Sequence, residues 1–193
     1  MVCAAHFVRK AQTTPILRFA QEQALKVKRQ CWVDAARADR KIIMNITYKY
    51  FTEVNEEFIS LTNELDLEFL EKNGSIQNQY NKYNKLDGIR DIIIAYDNMK
   101  PIGCVSIKKL EENVFEVKRV YVKKEYRKAG IAKIMMKKIE TIAKEKNIKT
   151  LLLETRKTFI PAISLYKSLM YVIIDNYGQY KGMEYSVCMR KEI

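Results

Sequence analysis

Arg127-Lys128-Ala129-Gly130-Ile131-Ala132 is the stretch on which the fold reading turns. On its N-terminal side, Val114–Val122 alternates as a strand does. On its C-terminal side, Ile131, Ile134, Met135, Ile139 and Ala143 form the apolar stripe of a helix from about Gly130 to Lys146. A strand that turns tightly into a helix leaves backbone N–H groups pointing outward at the positive end of the helix dipole. Gly130 lets that backbone approach a ligand, Ala132 keeps helix and sheet close, and Arg127 and Lys128 add positive charge. The combination predicts a cradle for a pyrophosphate-like anion. The plainer reading is an ordinary strand-to-helix turn with surface bases. No G-K-[ST] follows and the stretch is not G-x-G-x-x-G, which argues against NTPase and dinucleotide chemistry.

Working outward, Ile46–Phe51 reads as a strand. Thr52 can cap a helix through Phe58, Leu61, Leu65 and Phe69, stopped by Asn73-Gly74. The polar stretch 75–87 accommodates a second short helix. Residues 91–96 and 101–110, joined by Asp97-Asn98-Met99-Lys100, read as a hairpin. Within Val114–Val122 an unbroken alternation puts Val114, Glu116, Lys118, Val120 and Val122 on one face. Phe115, Val117, Arg119 and Tyr121 then share the other. Residues 151–154 form a short apolar strand, Pro161 opens another helix, and residues 171–175 and 185–191 close with two strands. The order β-α-α-β-β-β-α-β-α-β-β predicts an α/β fold, a mixed sheet with helices on its faces.

Composition removes several reaction classes. The 193 residues contain one His, His6, so triads with a His base and His-ligated zinc enzymes have almost nothing to work with. The four cysteines, Cys3, Cys31, Cys104 and Cys188, form no C-x-x-C pair. They fit buried thiols in a reducing, cytoplasmic compartment better than a disulfide scaffold, and no metal site is expected. No apolar run is long enough to span a bilayer. The formal charge of +12 favours an anionic partner such as a phosphorylated cofactor.

That charge is unevenly spread. Residues 1–43 carry nine basic and three acidic residues, half of the net charge, with eight of the thirteen Ala and the only Trp. Thr14-Pro15 followed by Ile16, Ala20, Ala24, Val27 and Cys31 suggests an amphipathic helix over residues 14–38. This basic N-terminal extension reads as an appended helix, as a start-site artefact before a chain beginning at Met44, or as a presequence. A nucleic-acid-binding arm is a further reading. It is disfavoured because the bases lack interleaved aromatics beyond Phe19 and Trp32.

The phosphate loop, taken with two further motifs, resembles the GNAT acetyltransferases. R-K-A-G-I-A fits their R/Q-x-x-G-x-G/A loop for acetyl-coenzyme A. Phe115-Glu116-Val117-Lys118-Arg119-Val120-Tyr121-Val122 resembles their central strand, and Ala162-Ile163-Ser164-Leu165-Tyr166 their A-x-x-L-Y helix. The resemblance covers residues 44–193 and implies a GNAT-type mixed, mostly antiparallel sheet flanked by helices. The tail, Asn176-Tyr177-Gly178-Gln179-Tyr180 and then Ser186-Val187-Cys188, also resembles a bacterial subgroup of small GNATs, and the family resemblance implies a homodimer as a candidate assembly. Two departures stand out. Met170 occupies a position usually taken by Gly, and Phe159 one commonly taken by Asn or Gln.

What the resemblance implies is an N-acetyltransferase passing acetyl from acetyl-CoA directly to a primary amine, of a small molecule or a peptide, in a ternary complex. The alternative is an acyl-CoA-binding or nucleic-acid-binding regulatory module. Cofactor contacts fall on Val120, Tyr121 and Val122 of the strand, on Arg127, Lys128, Ala129, Gly130, Ile131 and Ala132 of the loop, and on Tyr166. Tyr166 matches the family tyrosine placed to protonate the departing thiolate. For the base, Glu116 lies on the central strand among apolar neighbours, where a carboxylate can take an amine proton. Glu154 is a second candidate, for base or for binding the cationic substrate. Tyr177 and Tyr180 flank Gly178 near the expected acceptor pocket. For each of these residues a purely structural role is the competing reading.

Overall fold

A computed structural model describes residues 45–74, 80 and 83–193. The helix expected over residues 14–38 lies outside the described residues, as does most of the short helix expected in residues 75–87. Seven strands and three α-helices occupy the described part. They are β1 (Ile46–Phe51), α1 (Glu56–Asn73), β2 (Ile89–Asp97), β3 (Lys100–Glu111), β4 (Val114–Val122), α2 (Ile131–Glu145), β5 (Thr150–Arg156), α3 (Ile160–Ser168), β6 (Val172–Ile174) and β7 (Ser186–Glu192). The sheet order is β1-β2-β3-β4-β5-β7-β6. Only β4 and β5 run parallel, so the sheet is mixed and mostly antiparallel, as expected.

Apolar periodicity accounts for the layers. Phe58, Leu61 and Leu65 of α1 pack on Ile92, Ile94, Tyr96, Cys104 and Tyr121 on one face of the sheet. On the other face, Ile131, Met135, Met136, Ile139 and Ala143 of α2 pack on Ile93, Val105, Val117, Val122 and Leu153. Tyr166 and Leu169 extend that second layer. Period-2 alternation in β2 thus feeds two cores from one strand. The α2 stripe differs by one residue from expectation. Ile134 is 41% exposed and Met136 fully buried, because the buried face follows i, i+4, i+5 and i+8 from Ile131. The cap of α1 also differs. Asn55, not Thr52, accepts from the Phe58 N–H at 2.9 Å and satisfies one orphan donor of the first turn.

The expected faces of β4 are overturned by a β-bulge. Ser106 pairs with Lys118 and Cys104 with Tyr121, so Val105 alone opposes Arg119 and Val120. Arg119 takes φ +59°, an uncommon conformation for a side chain of its size. Ser106 Oγ donates to the Lys118 carbonyl at 3.0 Å and Cys104 Sγ to the Arg119 carbonyl at 3.3 Å, satisfying groups the bulge withdraws from the ladder. Beyond the bulge the alternation reverses. Val120 and Val122 join Val117 in the α2-side core, and Tyr121 joins the α1-side core. Gly103 is required here, since a Cβ would lie 2.7 Å from the Tyr121 carbonyl oxygen.

Candidate functional site

Beyond β4 the chain makes a 3-10 turn, Lys124–Tyr126, and enters α2 through Arg127, Lys128, Ala129 and Gly130. Lys128 (φ +65°) and Gly130 (φ +78°) flank Ala129 in left-handed conformations, a geometry that gathers successive N–H groups on one side. Gly130 is the N-cap of α2 and no side chain caps the helix. The Ile134 N–H bonds back to the Gly130 carbonyl at 3.1 Å, so the N–H groups of residues 130–133 lie ahead of the helical ladder. A Cβ on Gly130 would meet no atom within 4 Å, so the loop faces open space. Orphan donors around an open concavity suit the pyrophosphate of a nucleotide cofactor such as coenzyme A.

Arg127 departs from the role expected of it. Its Nη1 and Nη2 donate to Glu68 of α1 at 3.0 and 2.6 Å, its Nε donates to the Val122 carbonyl at 2.8 Å, and it lies over the Tyr121 ring. The side chain therefore clamps the loop onto α1 instead of standing out toward an anion. Burial opposes ionisation of Glu68, but hydrogen bonds from Arg127 and Lys72 outweigh it and hold the carboxyl down at about 2. Positive charge at the mouth falls to exposed Lys128 and to backbone dipoles.

Beside the loop the sheet opens. β4 and β5 pair only from Val114 opposite Thr150 to Glu116 opposite Leu152, while β5 continues along β7 to Arg156. Residues 117–122 of β4 thus have no described strand on their β5 side, leaving a wedge bounded by Val120 and Val122. Tyr166 is 6% exposed and packs in the core cluster that contains Val122 and Ile131. Its hydroxyl has no hydrogen-bond partner among the described residues. Burial, aided by the charge of Glu154, pushes that phenol well above its ordinary value. Tyr121 points the other way, into the α1-side core, with its hydroxyl 3.3 Å from Glu64.

On the α1-side face a polar pocket assembles from β4, β5, β7 and the 3-10 turn Gly178–Tyr180. Glu116, 2% exposed, accepts from the hydroxyls of Tyr177 and Tyr180, both at 2.9 Å on Oε1. Lys118, on the same face, donates to the Tyr180 hydroxyl at 3.0 Å and lies 3.7 Å from Glu116. Glu154 receives a 2.7 Å hydrogen bond from Ser186 Oγ, which also contacts the Tyr80 hydroxyl at 3.2 Å. Burial pushes the Glu154 carboxyl up, more than Ser186 and Lys118 bring it down, and the neighbouring charge of Glu116 adds to the rise. Burial likewise pushes the Lys118 ammonium down, against the pull of the two carboxylates. The structure therefore brings Glu116, Glu154, Tyr177 and Tyr180 into one cluster, with Tyr166 on the other side of β5.

Sequence reading missed Lys118, Arg156 and Ser186 as members of this cluster. Lys118 reads as a sheet-face base and Ser186 as an ordinary strand residue. The available signal was cross-strand placement: Glu154 and Arg156 stand opposite Cys188 and Ser186. A shallow cleft of about 470 Å³, lined in part by Lys157, Asp175, Asn176, Met183 and Ser186, opens beside the pocket at Ser186.

Comparison with known proteins agrees with this geometry. The profile of the Acetyltransferase (GNAT) family matches residues 51–170, and the chain belongs to that family. An uncharacterised N-acetyltransferase of Schizosaccharomyces pombe is 28% identical over 115 residues, 58% of this chain and 69% of that protein. One from Dictyostelium discoideum is 39% identical over 64 residues, 33% of this chain, and the match spans only 30% of its length. Among solved structures, a Klebsiella pneumoniae protein assigned as an acyl-CoA N-acyltransferase superposes with TM-score 0.64 at 24% identity, covering 78% of this chain and 99% of that one. The PaiA N-acetyltransferase of Thermoplasma acidophilum, solved in complex with coenzyme A, gives TM-score 0.55 at 19% identity over 76% of this chain and 99% of that one. No helix among the described residues is long and apolar enough to cross a membrane.

Proposed function

We propose that this chain transfers an acetyl group from acetyl-CoA to a primary amine in a ternary complex. The observation that carries the proposal is the pairing of an open, uncapped, left-handed glycine turn at the α2 N-terminus with the β4–β5 wedge beside it. Acetyl-CoA supplies an activated thioester carbonyl. The N–H groups of residues 128–132 would hold its pyrophosphate, and the free edge of β4 near Val120 its pantetheine arm. The Val122 carbonyl already accepts from Arg127, so Val120 offers the more open contact.

The chain's own groups then manage two protons. With acetyl-CoA bound, the Tyr166 hydroxyl would give a proton to the sulfur as the carbon–sulfur bond breaks and the amine nitrogen bonds to the acetyl carbon. Glu154, whose proton affinity burial raises, takes the proton lost by the amine. Glu116 serves it by holding Tyr177 and Tyr180 and by adding negative charge nearby. Buried thiols Cys104 and Cys188 suit a reducing, cytoplasmic setting. Neither is a nucleophile here, because burial raises both thiols and keeps them protonated.

Tyr166→Phe tests this assignment. We expect kcat for amine-dependent thiol release to fall on the order of 100-fold. The Kd for acetyl-CoA, read by calorimetry, should stay within about threefold, since the lost hydroxyl has no partner among the described residues that would be left unsatisfied. An unchanged kcat would remove Tyr166 from the chemistry.

A further inference from the structure

One charge in the pocket is incompletely answered. Arg156, the last residue of β5, is 9% exposed, yet its Nε and Nη1 are sealed from solvent with no acceptor among the described residues. Its guanidinium lies over the rings of Tyr80 and Tyr185, at 5.7 and 5.8 Å from their centroids. The other buried cations each have hydrogen-bonded partners, although the Nε of Arg119 is without one among the described residues too. Arg119 reaches Asp66 and the Asn84 carbonyl, and Lys118 reaches Tyr180 and Glu116. Stacking on two aromatic rings offsets part of the desolvation of a guanidinium but does not satisfy its N–H groups. The Arg156 charge is felt by Glu154, but no carboxylate among the described residues hydrogen-bonds its Nε or Nη1, and a buried guanidinium left so is a place where an anion belongs.

Position says which anion. Glu154 and Arg156 are two residues apart on β5 and share its α1-side face, so their Cα atoms are about 6.7 Å apart along the strand. Ser186 stands directly opposite Arg156 in β7 and bonds Glu154. Tyr185, whose ring covers the guanidinium on one side, is itself 47% exposed. The pocket thus presents the Glu154 carboxylate two residues from a guanidinium whose Nε and Nη1 have no acceptor among the described residues. We infer that the acceptor is an amino carboxylate, its ammonium end facing Glu154 and its carboxylate held by Arg156. This rests on the acetyl-transfer reading above and adds to it the acceptor class and a specificity-determining residue.

The test uses the full chain, acetyl-CoA, and free amino carboxylates from α-amino acids to 4-aminobutyrate, each beside its carboxamide. The expected result is a kcat/KM preference on the order of 100-fold for the carboxylate of the best pair. In Arg156→Gln that preference collapses to under about threefold, and Arg156→Lys restores part of it. Removing an incompletely hydrogen-bonded buried charge should leave Tm equal or higher, whereas a merely structural clamp predicts a lower Tm and a preference that survives. Carboxamides accepted as well as carboxylates by the wild type would overturn the inference while acetyl transfer stands. Failure to bind acetyl-CoA by calorimetry would overturn acetyl transfer, and the inference with it.

Discussion

Glu154→Gln is expected to lower kcat/KM for the amine by 100- to 10,000-fold, roughly the span that a positioned base contributes. The substitution keeps shape and retains an acceptor for the Ser186 hydroxyl at 2.7 Å, so the fold should survive. The pH profile carries the mechanistic content. A carboxylate works as base only when ionised, and burial raises the Glu154 carboxyl above its ordinary value of 4.5. Wild-type kcat/KM should therefore fall as pH drops through that raised value. In the variant this limb should vanish, leaving only the dependence on the free amine. Glu116→Gln should behave differently. It weakens the acceptor that holds Tyr177 and Tyr180, and the principal effect should be a raised KM for the amine. An acidic limb that persists in Glu154→Gln and disappears in Glu116→Gln would transfer the base role to Glu116.

Gly130→Glu should abolish measurable acetyl-CoA binding, a rise in Kd of at least about 100-fold. Two effects act together. The residue sits at φ +78°, where a side chain is strained, and its Cβ would project into the open space before the α2 N-terminus. There a carboxylate occupies the cradle and repels the anion meant for it. The strain costs about 1–2 kcal/mol, too little to unfold a typical domain. Gly130→Ala separates the contributions, since it keeps the strain without the charge and should retain much of the affinity.

Much of the fold was legible because it depends on local rules. The bounds of β1 and β4 follow from alternation, and the β2–β3 hairpin from its polar turn. What alternation could not show is the bulge. Lys118 and Arg119, consecutive polar residues inside a strand, are the faint mark of a place where period 2 breaks. The reason it breaks lies in β3, where Ser106 and Cys104 bond the carbonyls released. Assuming an unbroken period assigned Val120 and Val122 to the wrong side. The shift from Thr52 to Asn55 as helix cap has a similar origin, since both residues can cap and only the packing of Phe58 and Leu61 selects the start.

The site divides along the same line. The Gly130 turn reads directly from sequence, because a left-handed N-cap favours glycine, which adopts it without steric cost. Arg127 reads as a phosphate ligand only until Glu68 is seen, 59 residues away and bidentate on its guanidinium. Arg156 was missed for a similar reason. A basic residue ending a strand is ordinary, and what sets it apart is that its Nε and Nη1 find no acceptor among the described residues. Partners distant in sequence decide whether a charge is structural or offered to a ligand.

The most direct test of acetyl transfer at this site is incubation of the full chain with acetyl-CoA and the amine panel, with products read by mass spectrometry and thiol release followed in parallel. The account predicts acetylated amine and free coenzyme A in equal amounts, with neither formed by Gly130→Glu. Coenzyme A released without acetylated amine, or product formed equally by Gly130→Glu, would contradict it.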